Sequence, residues 1–381
     1  MTGPSQRRPP LPTDAGLYVH VPFCLTRCGY CDFNAYAGLS HLGPAYAEAL
    51  RRETDLYVES WAGVRFVSIF LGGGTPTTLP AETLGALVSA FRDRFDFDED
   101  AEVTCEANPD TVDLAYLEAL RAAGITRLSM GVQSFDPAVL ASLERVHSAD
   151  SARRAFRDAR AAGFDDVNLD FIYGALGETV ETWRRTIEQS VALAPEHLSC
   201  YALTVEPNTR LGQRVSTGRT PPPDPDLQAD LYEVACECLA AAGYGHYEVS
   251  NWAKPGHECL HNLGYWEGRP YLGLGAGAHS FRDGRRWWNL RLPRRYLDAI
   301  ASGVPPVEGE EFPDEGEAAL ERTLLSVRLD RGIPDSGVPG GVAEAYLAGG
   351  LARRESGRFV LTDRGMLLAS DLVLALEGGE C

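Results

Sequence analysis

No stretch of the chain approaches the roughly 18 consecutive apolar residues that a membrane-crossing helix requires. The first residues, MTGPSQRRPPLPTDAG, carry basic side chains and prolines with no apolar run behind them. They lack the core of a signal peptide and read as a disordered lead-in over residues 1–15. Positive charge is also scarce. Thirty-five Lys and Arg face 54 Asp and Glu, a net charge of −19, which argues against binding nucleic acid through its phosphates or adsorbing to anionic lipid. Arg285-Arg286 and Arg294-Arg295 are the local exceptions, read as basic patches open to a partner. No internal repeat or low-complexity tract stands out. Without an export signal the nine cysteines belong in a reducing cytoplasm, where metal or cluster ligation is the better reading than disulfides.

What is present is a β/α rhythm. Short β-like runs begin at "GLYVHV" (16–21) and "VRFVSIFL" (64–71). They continue with "AEVTCEA", "RLSMGVQ", "DVNLDFIYG" and "HLSCYALTV", each followed by a helical stretch. Six such units predict an α/β fold with a parallel sheet over 16–243, as a partial (β/α)6 barrel or a doubly wound sheet. Residues 244–304 are aromatic- and Gly-rich without clear periodicity. Pro305-Pro306 and the acidic run 308–311 read as a linker. Residues 305–381 then read as a small winged-helix-like C-terminal domain without a basic recognition helix.

Three cysteines fall within eight residues as Cys24-x3-Cys28-x2-Cys31, and no fourth is near. Zinc would need four protein ligands in a closed structural site. His20 is the available fourth, although strand-like "YVHV" points its residues alternately to two faces. The alternative is an iron–sulfur cluster with one iron left open. Polar residues also recur where the predicted strands end. "GGGTPT" (72–77) follows the second strand, with Glu106, Gln133, Asp170 and Thr204 on the next four. In β/α barrels these ends share one face, where active sites lie. Singly, each has a plain reading: a turn, a helix cap, a buried hydrogen-bonded carboxylate.

The cysteine spacing, with Tyr30 just before the third cysteine, resembles the signature of radical SAM proteins. "YVHVPFC", "CDF", "FLGGGTPT", "EANP", "GVQSF" and "NLDFIYG" together resemble the coproporphyrinogen-III-oxidase-like branch across nearly the whole chain. That resemblance implies a TIM-like radical SAM barrel whose Cys24, Cys28 and Cys31 hold a [4Fe-4S] cluster that chelates S-adenosylmethionine. It places Tyr18, Tyr30, Gly73, Gly74, Thr75, Glu106, Gln133, Arg145 and Asp170 around that cofactor, with the glycines at the amino group and Glu106 at the ribose. Arg145 would meet the carboxylate and Asp170 the nucleoside side.

Within the branch, the oxidases carry a further cysteine where this chain has Phe33, and a longer N-terminal extension. Phe33 offers neither thiol nor proton. "CLHNLGYW" (259–266) is similar to a motif of the branch's haem-chaperone subgroup. That implies haem as ligand, apo-haemoproteins as acceptors, and His261, Asn262, Tyr265 and Trp266 as haem-binding candidates, with His257, Cys259 and His279 nearby. A histidine can ligate haem iron, and aromatics suit a flat macrocycle. Equally, His261 can be a structural histidine over packed rings. The expectation is a cytoplasmic haem carrier rather than an enzyme, free to touch membrane-bound acceptors. The alternatives are a porphyrinogen dehydrogenase or radical SAM methyltransferase, and a zinc-stabilised interaction protein.

Overall fold

The structure, a computed structural model, describes residue 11 and residues 13–377. Most of the expected lead-in and Cys381 lie outside the described residues. The lead-in ends earlier than expected: Asp14 is buried against Arg65, and Ala15 already opens the first strand.

In chain order, β1 (Ala15–Val21) runs into the cysteine loop, which carries two short strands, β2 (Phe23–Cys24) and β3 (Tyr36–Ala37). Five more strands follow, each after a helical crossover: β4 (Arg65–Gly73), β5 (Asp96–Ala107), β6 (Arg127–Gln133), β7 (Val167–Tyr173) and β8 (His197–Ala202). The extension adds β9 (Gly245–Glu248), β10 (Asn251–Ala253), β11 (Tyr271–Leu274), β12 (His279–Arg282) and β13 (Arg285–Asn289). Last come β14 (Val307–Glu311), β15 (Ile333–Pro334), β16 (Ala352–Glu355) and β17 (Arg358–Leu361).

Strands β1, β4, β5, β6, β7 and β8 lie side by side and parallel, as the rhythm predicts. The extension is part of the same sheet. Strand β11 pairs parallel with β1 as a seventh parallel strand, and β12, β13 and β14 continue antiparallel from it. With β10 and β9 beyond β8, the sheet is open, with β14 and β9 at its two edges. The acidic run 308–311 is therefore edge strand rather than linker. Its charges are met across the ladder, Arg285 by Glu310 and Arg286 by Glu311. Arg285-Arg286 is for that reason internally paired, not an open basic patch. Charge on an edge strand also guards it against pairing with another chain.

Alternation along the parallel strands sorts their residues into two faces. Leu17, Val19, Ile69, Leu71, Val103, Leu128, Met130, Leu169 and Phe171 are fully buried, in one core with the helices that cover the sheet. The opposite face is polar. Registers set Glu106, Ser129, Asn168 and His197 in one row across the inner wall, and Gly131, Asp170 and Ser199 in the next. Side-chain caps start several of the crossover helices. Asp113 caps Leu114–Ala122, and Ser148 and Thr179 form capping boxes for Ala149–Ala161 and Val180–Leu193.

At the C-terminus, β15, β17 and β16 form a small sheet with helices Glu315–Ser326, Gly340–Ala348 and Ala369–Leu376. The β16–β17 hairpin is the wing of the expected winged-helix-like unit. Val249 and Asp330 make main-chain hydrogen bonds that join this unit to the barrel at β9. Among the described residues no helix is long and apolar enough to cross a membrane.

Candidate functional site

The site is built where the exits of β1 and β4 run alongside each other. Main-chain Gly74 N–H donates to Val21 O (2.9 Å) and Thr75 N–H to Phe23 O (2.8 Å), tying the "GGGTPT" exit to the start of the cysteine loop. The glycines are required by this approach. Gly73 has φ +112°, and a Cβ on it would be driven into the His20 ring, whereas one on Gly74 would come within 2.7 Å of Phe23 O.

A 460 Å³ cavity opens at these strand ends. It is lined by Cys24, Cys28 and Cys31 together with Tyr30, Gly73, Gly74, Thr75, Glu106, Gln133, Arg145 and Asp170. Of the residues singled out from sequence for this site, Tyr18 alone lies elsewhere. It sits one pleat below His20 on the same face of β1, and its hydroxyl is engaged with His20 Nδ1 at 2.8 Å. His20 is not aimed at the thiols either, because its Nε2 is held by Asn34 O at 2.9 Å. The cysteines therefore have no histidine as a fourth donor there.

Burial raises the Cys24 and Cys31 thiols above their ordinary pKa, with the Thr75 hydroxyl pulling Cys24 back. Their thiolates need a compensating cation, and Arg145 stands ready. Its Nη1 donates to Cys28 Sγ at 3.3 Å and its Nη2 to Asn108 Oδ1 at 2.7 Å and to Gly131 O. Its buried Nε has no partner among the described residues. Opposite lie two buried acids. Burial, and then the charge of Asp170, push Glu106 up to about 7, while Gly73 N–H, donating at 2.9 Å, works the other way. Asp170 is likewise raised by burial, against hydrogen bonds from Ser129 and Asn168. Gln133 follows a bulge in β6 and has a left-handed backbone, φ 65°. The bulge re-aims it into the cavity.

Sequence reading missed Asn108, which bridges Thr75 Oγ1 (3.1 Å) and Arg145. Ser129 and Tyr201 were missed as well. A signal existed for Asn108, two residues past Glu106 and so on the same face by the strand period. Three sulfurs on one wall, an unpaired buried donor beside them and acids across from them suit a cluster plus a polar, zwitterionic ligand. The donor set fits both.

Comparison with known proteins gives the same direction. The Radical SAM superfamily model matches residues 18–189. The "heme chaperone HemW" of Mycobacterium tuberculosis is 44% identical over 369 residues, covering 95% of each chain. The chain belongs to the HemW family of the radical SAM superfamily. The HemW of Escherichia coli is 40% identical over 297 residues, 76% of each chain. Among solved structures, the E. coli coproporphyrinogen III oxidase HemN shares the fold, with a TM-score of 0.82 at 24% identity, over 96% of this chain and 91% of that one.

For a HemW-family chain, the placement of the "HNLGYW" segment is informative. It forms the short helix Leu260–Trp266 on the inner face of the barrel, at the opposite end from the cysteines. Glu102 accepts from the N–H groups of Leu260 (3.0 Å) and His261 (3.3 Å), satisfying its first turn. His261 Nδ1 meets Ser68 Oγ and its Nε2 meets Tyr265 Oη, both at 2.9 Å, and its ring stacks on Phe70. Burial lowers its pKa to about 3. As placed, neither nitrogen is open to a metal. Asn262 is bound to Tyr247 and Glu248, and Trp266 carries a buried indole N–H. Cys259 is buried against Glu102, and His257 pairs with Asp166. The segment plugs the barrel.

Proposed function

We propose that this protein is a cytoplasmic haem carrier that binds haem and passes it to acceptor apo-haemoproteins, respiratory enzymes among them. The observation that carries the reading is the 44% identity over 95% of both chains with a relative named as a heme chaperone. Phe33 supports it: where the related oxidases carry a further cysteine, an apolar ring stands 66% exposed beside the cysteine cavity, with no proton to give.

In this reading Cys24, Cys28 and Cys31 hold a [4Fe-4S] cluster, and exchangeable S-adenosylmethionine fills the rest of the cavity. When bound, that pair supplies one-electron chemistry at the open iron. The chain's own residues do the holding. Arg145 balances the thiolate at Cys28 and pairs the ligand's carboxylate, a charge-assisted choice. Ionised Glu106 accepts from ribose hydroxyls through the oxygen not engaged by Gly73. Asp170, held by Ser129 and Asn168, orients toward the nucleoside.

The test is transfer. Cluster-reconstituted protein, loaded with haem under anaerobic conditions, is mixed with an apo-haemoprotein and the Soret band is followed. Movement of haem to the acceptor, without release of 5′-deoxyadenosine on a porphyrinogen, is the expected result. Porphyrinogen turnover with no haem transfer would replace the carrier with a dehydrogenase.

A further inference from the structure

A second cavity, of 540 Å³, opens beside the first, with Phe33 in the wall of both. Its volume lies within the roughly 300–1,000 Å³ of ordinary cofactor sites. Aromatic residues from five segments line it: Phe33, Tyr18, Tyr265, Tyr271 and Trp288. Tyr265 belongs to the "HNLGYW" helix, so that segment reaches the cavity through its tyrosine while His261 stays behind it.

The eight histidines of the chain can be sorted by what holds their nitrogens. His20, His197, His246 and His261 have both engaged. His147 is bound to Val132 O and His257 to Asp166. His41 is exposed and lines neither cavity. His279 lines the 540 Å³ cavity, is exposed to it, and has no ring hydrogen bond among the described residues. Its ring lies 5.7 Å from that of Trp288, at 25°, on the paired strand. Arg291 also lines the cavity; its guanidinium has no ion-pair partner among the described residues, and its carbonyl is held by Asn34.

We propose that this cavity is the haem pocket, with His279 as axial ligand to the iron and Arg291 as partner to a propionate. The assignment rests on the haem-carrier reading and gives it a place. The aromatic walls cover the faces of a flat macrocycle, and Arg291 answers the carboxylates at its edge. Partial desolvation by the cavity walls first, then the cations of Arg286 and Arg291, lower the pKa of His279 against the opposing charge of Glu311, which favours the neutral imidazole that binds metal. Phe33 sets the macrocycle edge against the cysteine cavity, so a haem here borders the cluster loop.

The experiment is an anaerobic haemin titration of the full, cluster-reconstituted chain, read by the Soret band and by EPR of the ferric complex. His279 is exposed, so His279→Ala keeps the fold, checked by circular dichroism. Expected are loss of the histidine-ligated spectrum and an affinity lower by roughly tenfold, with added imidazole restoring the spectrum in His279→Gly. Arg291→Glu weakens binding while the histidine-ligated spectrum remains. An unchanged spectrum and affinity in His279→Ala would overturn the assignment and leave the carrier reading standing. No saturable binding by the wild-type chain would sink both.

Discussion

Gln133 holds a left-handed backbone that a non-glycine residue adopts at a cost of about 1 kcal/mol or more. It does so at the end of β6, on a bulge, facing the cysteine cavity. Strain retained at a site is traded against stability. Gln133→Gly is expected to raise the free energy of unfolding by up to about 1 kcal/mol, read by urea denaturation, while weakening S-adenosylmethionine binding. A loss of stability in that variant would show that the side chain, not the cofactor, holds the backbone there. Glu106 gives a second residue-level expectation. Its carboxyl is raised to about 7, so the ionised form that accepts hydrogen bonds from hydroxyls is gained as pH rises through neutrality. Affinity for S-adenosylmethionine, measured anaerobically by calorimetry, is expected to climb between about pH 6 and pH 8. In Glu106→Gln it is lower and that climb is gone. A wild-type affinity flat across this range would count against an ionised Glu106 at the ribose.

At the scale of elements, the Leu260–Trp266 helix is held into the barrel by its histidine. His261→Ala removes a ring that fills space against Phe70 and leaves the hydroxyls of Ser68 and Tyr265 without their partner. A cost of about 2–4 kcal/mol is expected from the cavity and the lost hydrogen bonds, seen as a lowered Tm, while the haem spectrum stays histidine-ligated. The same helix shows where sequence reading stops. The spacing of His261, Asn262, Tyr265 and Trp266 is as legible as that of the cysteines, but spacing does not say which lone pairs are already taken. Ser68, which engages Nδ1 of His261, lies about 190 residues earlier in the chain, and Glu102, which accepts from the helix's first N–H groups, about 160 residues earlier. The parallel strands were legible because alternation carries its own geometry, polar Glu106 and Asp170 inward and apolar Cys105 and Leu169 outward. The acidic run 308–311 misled for the opposite reason. A charged segment reads as solvated linker until Arg285 and Arg286 are seen beside it across the ladder.

At the scale of the molecule, a buried carboxylate on a barrel helix ties down several points of the extension. Glu53, on the helix Gly43–Tyr57, accepts from Gly275 N–H (2.8 Å), Asn289 Nδ2 (2.6 Å) and Tyr296 Oη (2.7 Å), three points along the extension. Burial pushes it up to about 7, with these hydrogen bonds pulling back. The folded pKa lies above the unfolded value near 4.5. The native state therefore binds the extra proton between those two pH values, and stability from this group is full below about pH 4.5 and lost as pH rises through 7. Glu106 and Glu178 are raised in the same sense, while His197 and His261 are lowered and act oppositely. A difference curve isolates Glu53. Wild-type stability minus that of Glu53→Gln, measured by urea denaturation, is expected to fall between pH 5 and pH 8 by an amount on the order of 2–3 kcal/mol. A flat difference would mean that Glu53 is ionised in the folded state over the whole range. Because Asn289 also lines the 540 Å³ cavity, loosening this joint reaches the pocket beside it. Glu53→Gln is therefore expected to weaken haem binding without altering the axial spectrum, since His279 is carried on β12 and makes none of the Glu53 hydrogen bonds.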